Sequence, residues 1–92
     1  MALTFQWDEA KSKRNFVKHS VAFEEAKTVF NDRFSLTIAD PSHSSDEDRF
    51  IDVGLSSKGR VLVVWYTERN EDIRIIGCRK ATKTERIIYE KR

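Results

Sequence analysis

The stretch VLVVWYTERNEDIRIIGCRKATKTERIIYEKR, residues 61–92, decides the fold. Val61 to Tyr66 is an unbroken, largely β-branched apolar run, which predicts a central strand buried on both faces. Arg69 to Asp72 turns the chain, and Ile73, Ile75 and Ile76 predict a second buried strand beside the first. Thr82 and Glu85 then stand at the spacing of a capping box, so a helix should open at Thr82. From Arg79 onward six Lys or Arg residues face only two Glu. Adjacent cations at a strand end are held more rigidly than cations on a loop. With Arg86 and Tyr89 close by, such a cluster suits a phosphodiester better than a neutral ligand.

Upstream, Ser56 to Gly59 supplies a turn, with Gly59 at the positive-φ position. Ile51, Val53 and Leu55 alternate with polar or small residues, as do Phe34, Leu36 and Ile38 before Asp40-Pro41. Four consecutive antiparallel strands result. Asp8 is a plausible N-cap for a helix from Glu9 to His19, and a second helix is expected from Ala22 to Phe30. In the first helix Ala10, Phe16 and Val17 are the expected core contacts, with Lys11, Asn15, Lys18 and His19 forming a polar stripe opposite. The reading is an α+β fold. Two N-terminal helices pack on a four-stranded antiparallel twisted sheet, five-stranded if Phe5 to Trp7 adds a short strand, and a C-terminal helix follows.

Ninety-two residues fit one domain, 1–92, with a single core. The net charge of +2 is small but unevenly placed, because Asp40, Asp46, Glu47 and Asp48 make the 40–48 loop acidic while the C-terminus is cationic. Nucleic-acid binding is therefore permitted rather than demanded. No run approaches the ~18 apolar residues of a membrane span. The lone Cys78 has no internal disulfide partner, and Met1 to Phe5 does not begin a secretory signal, so a cytoplasmic protein that does not engage membranes is expected. One Cys and two His in unrelated segments make no zinc set, and Gly54, Gly59 and Gly77 are too scattered for a phosphate-cradling loop, so neither metal nor cofactor is expected.

Several short motifs occur in order along the chain. They are Phe5-x-Trp7-Asp8-Glu9-x-Lys11, Asn15, Lys18-His19 and Phe23-Glu24-Glu25-Ala26, followed by His43-Ser44, Glu47-x-Arg49 and Gly54-x-Ser56. Gly59-Arg60, Thr67-x-Arg69, Ile73-Arg74-Ile75-Ile76, Arg79 and Glu85-Arg86 with Tyr89 complete the set. Together they resemble the BrnT-type toxins, over essentially the whole chain from Phe5 to Tyr89. The resemblance implies a RelE-like fold and a ribonuclease toxin of a type II toxin–antitoxin pair, acting on RNA. It also implies a small cognate antitoxin that neutralises the toxin and through which alone operator DNA is bound, with a higher-order toxin–antitoxin assembly as a further expectation. The chain departs from the family pattern at Ser20 and Ala22, where Gly and Ser are common, and at Gly77-Cys78, where Ser-Ala is usual. The first two bear on helix boundaries: Ser20 is disfavoured if φ is positive there, and Ala22 lacks a capping hydroxyl worth roughly 1 kcal/mol.

Metal-free RNA cleavage requires the ribose 2′-hydroxyl to attack its neighbouring phosphate, with fixed cations stabilising the growing charge and a general acid or base moving protons. Arg79 is the first choice for the phosphate clamp, its alternative being a salt bridge to Glu85 or Glu47. By alternation it should share a face with Ile73, Ile75 and Gly77, leaving Lys80 on the other. Arg60 begins the central strand and should pair with Arg79 at the same end of the hairpin, whereas Arg69 falls at the opposite end and stands by resemblance. Arg86 and Tyr89 share a face of the last helix. Arg86 could instead pair with Glu90, and Tyr89 could dock that helix rather than stack on a base or act as an acid. Histidine titrates near neutral pH, so His19 is a candidate acid or base, or simply a helix C-cap. The catalytic candidates are thus Arg60, Arg79, Arg86, Tyr89 and His19, and the RNA-binding candidates Lys11, Lys18, Arg69, Lys80 and Lys83. His43 reads as part of a turn or an antitoxin contact, and Trp7 and Trp65 as core. The alternative to a metal-independent endoribonuclease is a non-catalytic RNA- or DNA-binding protein, or a structural partner.

Overall fold

The computed structural model describes residues 3–40 and 48–91, so most of the acidic loop, with His43, and Arg92 lie outside the described residues. Along the chain run β1 (Thr4–Gln6), α1 (Glu9–His19), α2 (Phe23–Ala26), a 3-10 turn (Lys27–Asn31), β2 (Leu36–Ala39), β3 (Arg49–Leu55), β4 (Val61–Arg69), β5 (Asp72–Lys80) and α3 (Lys83–Glu90). The strands form one sheet in the order β1-β5-β4-β3-β2. Strands β2 to β5 are antiparallel neighbours, and β1 adds the short fifth strand. It runs parallel to β5, so the sheet is mixed rather than wholly antiparallel.

The central position of β4 follows from its sequence. Leu62, Val64 and Tyr66 enter the core beneath the N-terminal helices with Val21, Phe23, Ala26 and Val29, while Val63 is buried on the other face. Gly54 marks where β3 meets the 3-10 turn. A Cβ there would stand 2.8 Å from Val29 Cγ1 and 2.9 Å from Ser35 Cβ, too close for either to accept. Gly54→Ala should therefore lower stability by about 1–3 kcal/mol through overpacking, measurable by urea denaturation with an unchanged slope.

Three expectations are corrected. The segment after Ala22 is helical only to Ala26 and then tightens to 3-10 geometry. Ala22 provides no side-chain cap, and the Thr28 hydroxyl takes the Glu25 carbonyl at 2.6 Å, diverting an acceptor from the helical ladder. Ser20 adopts φ 61°, the left-handed C-cap conformation that glycine takes without strain.

The second correction concerns α1, whose boundaries and Asp8 cap are as expected but whose faces are reversed. Phe16 and Val17 are exposed, at 54% and 85%, and Ala10 is exposed as well. The inward side carries Ser12, Asn15 and His19. Ser12 Oγ accepts the Phe23 amide at 3.0 Å, and the Asn15 amide donates to the carbonyls of Val21 (2.7 Å) and Cys78 (2.9 Å). A polar side chain can face inward when it satisfies backbone groups that have no other partner.

The third lies in β5. Trp65 pairs with Gly77 and Tyr66 with Ile75, so Ile76 is an extra residue, a bulge that resets the alternation. Ile73, Ile75 and Cys78 all reach the core under α1, and Arg79 emerges on the opposite face from Ile73 and Ile75. Trp7 packs edge-on against Phe23 at 6.4 Å beside the core, but Trp65 is only half-buried, on the other side of the sheet.

Candidate functional site

Two clefts hold most of the candidate residues. The first, of 440 Å³, opens at the end of β4 and β5 away from their connecting turn, where Arg60, Lys80, Arg86, Tyr89 and Glu90 line it with the chain around Gly59 and Ala81. The second, of 380 Å³, runs between α1 and β5, with Lys11, Arg14, Asn15, Lys18 and His19 above Phe23 and Ile76. Arg14 was not singled out from sequence, although it completes a helical row at i+3 from Lys11 and i+4 to Lys18. Arg60 ties the first cleft to the end of the helix that carries Lys18 and His19, since one of its terminal nitrogens donates to the Ser20 carbonyl at 3.0 Å.

Arg60 is anchored as well as charged. Its Nε donates to Glu25 Oε2 at 3.0 Å and its Nη2 to Glu25 Oε1, while Ser56 Oγ donates to the same carboxylate at 2.7 Å. Burial pushes the Glu25 carboxyl up, but the hydrogen bonds from Arg60 and Ser56 outweigh it and leave it below the ordinary range. The same pairing holds the Arg60 guanidinium more firmly protonated than usual. Its other terminal nitrogen, Nη1, has no hydrogen-bond partner among the described residues, which leaves one end of the fork for a ligand. Glu25 is the functional residue that sequence reasoning missed. The second of two adjacent glutamates in a Phe-Glu-Glu-Ala run carries no local sign of a partner 35 residues away.

Arg79 takes its salt-bridge alternative. It grips Glu85 through both terminal nitrogens, at 2.7 and 2.9 Å, and lies over the Trp65 ring at 5.2 Å. The bulge at Ile76 puts it on the far face of the sheet from Arg60, so the expected Arg60–Arg79 pair does not form, and Lys80 occupies the cleft instead. The hydrogen bonds from Arg79 lower the Glu85 carboxyl to about 2. Because that folded-state value is depressed, its contribution is present above the unfolded value of 4.5 and is lost as pH falls toward 2. Glu85→Gln should accordingly melt lower than the parent at pH 6, with the gap narrowing between pH 4.5 and about 2 in a thermal-melt series. Glu85 also accepts the Thr82 amide while Thr82 Oγ1 accepts the Glu85 amide, completing the capping box of α3.

Tyr89 is buried, and its hydroxyl donates to Asp32 Oδ2, the oxygen that accepts the Leu55 amide at 2.8 Å. This is the docking role, fastening α3 to the chain before β2 and to the end of β3. Arg86 makes no ion pair with Glu90 and has no side-chain partner among the described residues. Arg69 sits at the opposite end of the hairpin, paired in register with Asp72, and Lys83 is exposed on the first turn of α3, outside both clefts. Among the described residues no three His, Cys, Asp or Glu side chains converge as metal ligands. No helix among them is long and apolar enough to cross a membrane.

A cleft with an anchored guanidinium, an ammonium and a second, unpaired guanidinium can hold an anionic oxygen from several sides. Residues 7–85 match the family model described as the ribonuclease toxin BrnT of a type II toxin–antitoxin system. Among solved structures the chain is similar to the Brucella abortus ribonuclease toxin BrnT, with a TM-score of 0.65 and 18% identity, covering 89% of this chain and 100% of that one. No curated protein matches it in sequence.

Proposed function

Given that the chain belongs to the BrnT family of ribonuclease toxins of type II toxin–antitoxin systems, we propose that it is an endoribonuclease that cleaves RNA without a metal ion and is neutralised by a cognate antitoxin. The convergence of Arg60, Lys80 and Arg86 on one cleft, beside the end of the helix bearing His19, carries this reading. Arg60 Nη1 and Arg86 grip the non-bridging oxygens of the scissile phosphate, and their charge stabilises the transition state in which a fifth oxygen joins phosphorus. His19 takes the proton from the 2′-hydroxyl as that oxygen attacks. Lys80 balances the charge that grows on the departing 5′-oxygen, which takes a proton from solvent water and leaves as the 5′-hydroxyl. The flanking RNA follows the row Lys11, Arg14 and Lys18, whose spacing along α1 suits successive phosphates. Arg79 and Tyr89, engaged by Glu85 and Asp32, position α3 instead of touching RNA. Operator DNA is bound only through the antitoxin.

Purified protein should cut RNA in EDTA and leave cyclic phosphate ends. Cutting that requires added Mg²⁺, or that survives loss of Arg60 and Arg86 together, would remove the mechanism. Salt-sensitive retention of RNA that is recovered intact would instead favour a binding module, a reading for which the α1 cation row is the specific observation.

A further inference from the structure

The face of the sheet turned away from α1 and α2 is left open. An apolar groove of 220 Å³ runs along it, lined by Leu36 and Ile38 of β2, Val63 and Trp65 of β4, and Ile88 of α3. Ile38 and Ile88 are each 57% exposed, an unusual position for isoleucine on a domain this small. The groove adjoins an open sheet edge, because β2 is the terminal strand and pairs only with β3. The Asp40 amide bonds the Arg49 carbonyl, so by antiparallel alternation Leu36 and Ile38 turn their backbone groups toward β3. Thr37 and Ala39 therefore turn theirs outward, as a template for one more strand.

The margin of this surface along β5 and the start of β3 is cationic. Arg79 lies over Trp65, and Arg49 and Arg74 flank Thr67 on the same face, in register with it from β3 and β5. Only Glu85 among the groove residues is acidic, and Arg79 already holds it. Apolar lining alone would accept any greasy segment, but an arginine margin selects a negatively charged one, and a second copy of this chain would bring like margins together.

We propose that this face is the docking surface of the antitoxin, which adds an extended, acidic and apolar segment to β2 as a sixth strand. Its alternate side chains fill the groove while carboxylates meet the arginines. The proposal rests on the toxin reading and adds a means of neutralisation to it. Helix α3 lines the groove with Glu85 and Ile88 and the cationic cleft with Arg86, so a segment seated in the groove bears on the helix that positions Arg86.

The test uses Trp7→Phe protein, in which Trp65 alone reports by fluorescence. The probe is the protein encoded by the reading frame adjacent to this gene. Ile38→Glu should weaken its binding at least about tenfold and release growth arrest in its presence, while RNA cleavage by the toxin alone is unchanged. Unaltered affinity in Ile38→Glu and in Ala39→Pro would overturn the proposal. If the adjacent product does not bind the parent protein at all, the antitoxin reading fails separately and a short blocked peptide alternating valine with glutamate decides. It should shift Trp65 emission to the blue where its lysine counterpart does not, and equal or absent shifts overturn the docking surface. Loss of RNA cleavage with binding intact would refute the ribonuclease reading and leave the groove standing.

Discussion

Arg60→Ala should lose about 3 kcal/mol of stability, because it leaves the Glu25 carboxylate, 6% exposed, with only the Ser56 hydroxyl as a side-chain partner. For a domain of this size that corresponds to a fall in melting temperature of about 15 °C. The Ser20 carbonyl, at the strained end of α1, loses its donor in the same step. Stability and catalysis are separable here. Replacing the pair together, as Arg60→Met with Glu25→Leu, removes the buried charge along with its counterion, and such exchanges are often neutral or stabilising. The double variant should therefore recover most of the melting temperature, yet cleave RNA no faster than the single variant. Recovery of cleavage along with stability would show that Arg60 serves the fold alone.

Arg86→Ala should do the reverse. Its side chain has no ion-pair partner among the described residues and its backbone is already helical, so alanine at this exposed position should change stability by no more than about 0.5 kcal/mol. If Arg86 meets the phosphate only as negative charge develops there, kcat should fall by about 10²- to 10³-fold, as when one preorganised donor is removed from such a site. Lysine at the same position should restore part of the rate, since it returns the charge without the planar fork. Single-turnover cleavage of a short RNA separates this from an effect on binding. An unchanged rate at saturating RNA would move Arg86 from the reaction to the surrounding surface.

The hairpins were legible because alternation and turns are local properties. Ile51-Val53-Leu55, the Ser56–Gly59 turn and the Val61 run specify their pairing within a few residues, and the Thr82–Glu85 box fixes the start of α3. The bulge at Ile76 was not legible, since an extra residue leaves the composition of a strand unchanged and shows only against its partner. That single residue separates Arg79 from Arg60. The reversed faces of α1 have a related cause. Periodicity assigns Phe16 and Val17 inward, but the three-residue bridge to α2 leaves the Phe23 amide and the Val21 carbonyl needing partners, and Ser12 and Asn15 on the inward side of α1 supply them. Of the candidate site, the charged ends of the hairpin and the α1 row could be read from sequence. The Glu25 anchor and the Asp32–Tyr89 link could not, because each joins segments distant along the chain.

The pairing of β1 with β5 sets an order on biosynthesis. Thr4 to Gln6 pair with Asp72 to Arg74, so β1 waits for β5. The nascent polypeptide cannot complete this sheet, nor Lys80 and Arg86 join Arg60, until β5 and α3 have been made. A ribosome stalled before codon 72 would therefore carry a fragment that lacks β5, leaves β1 unpaired and has no complete cationic cleft.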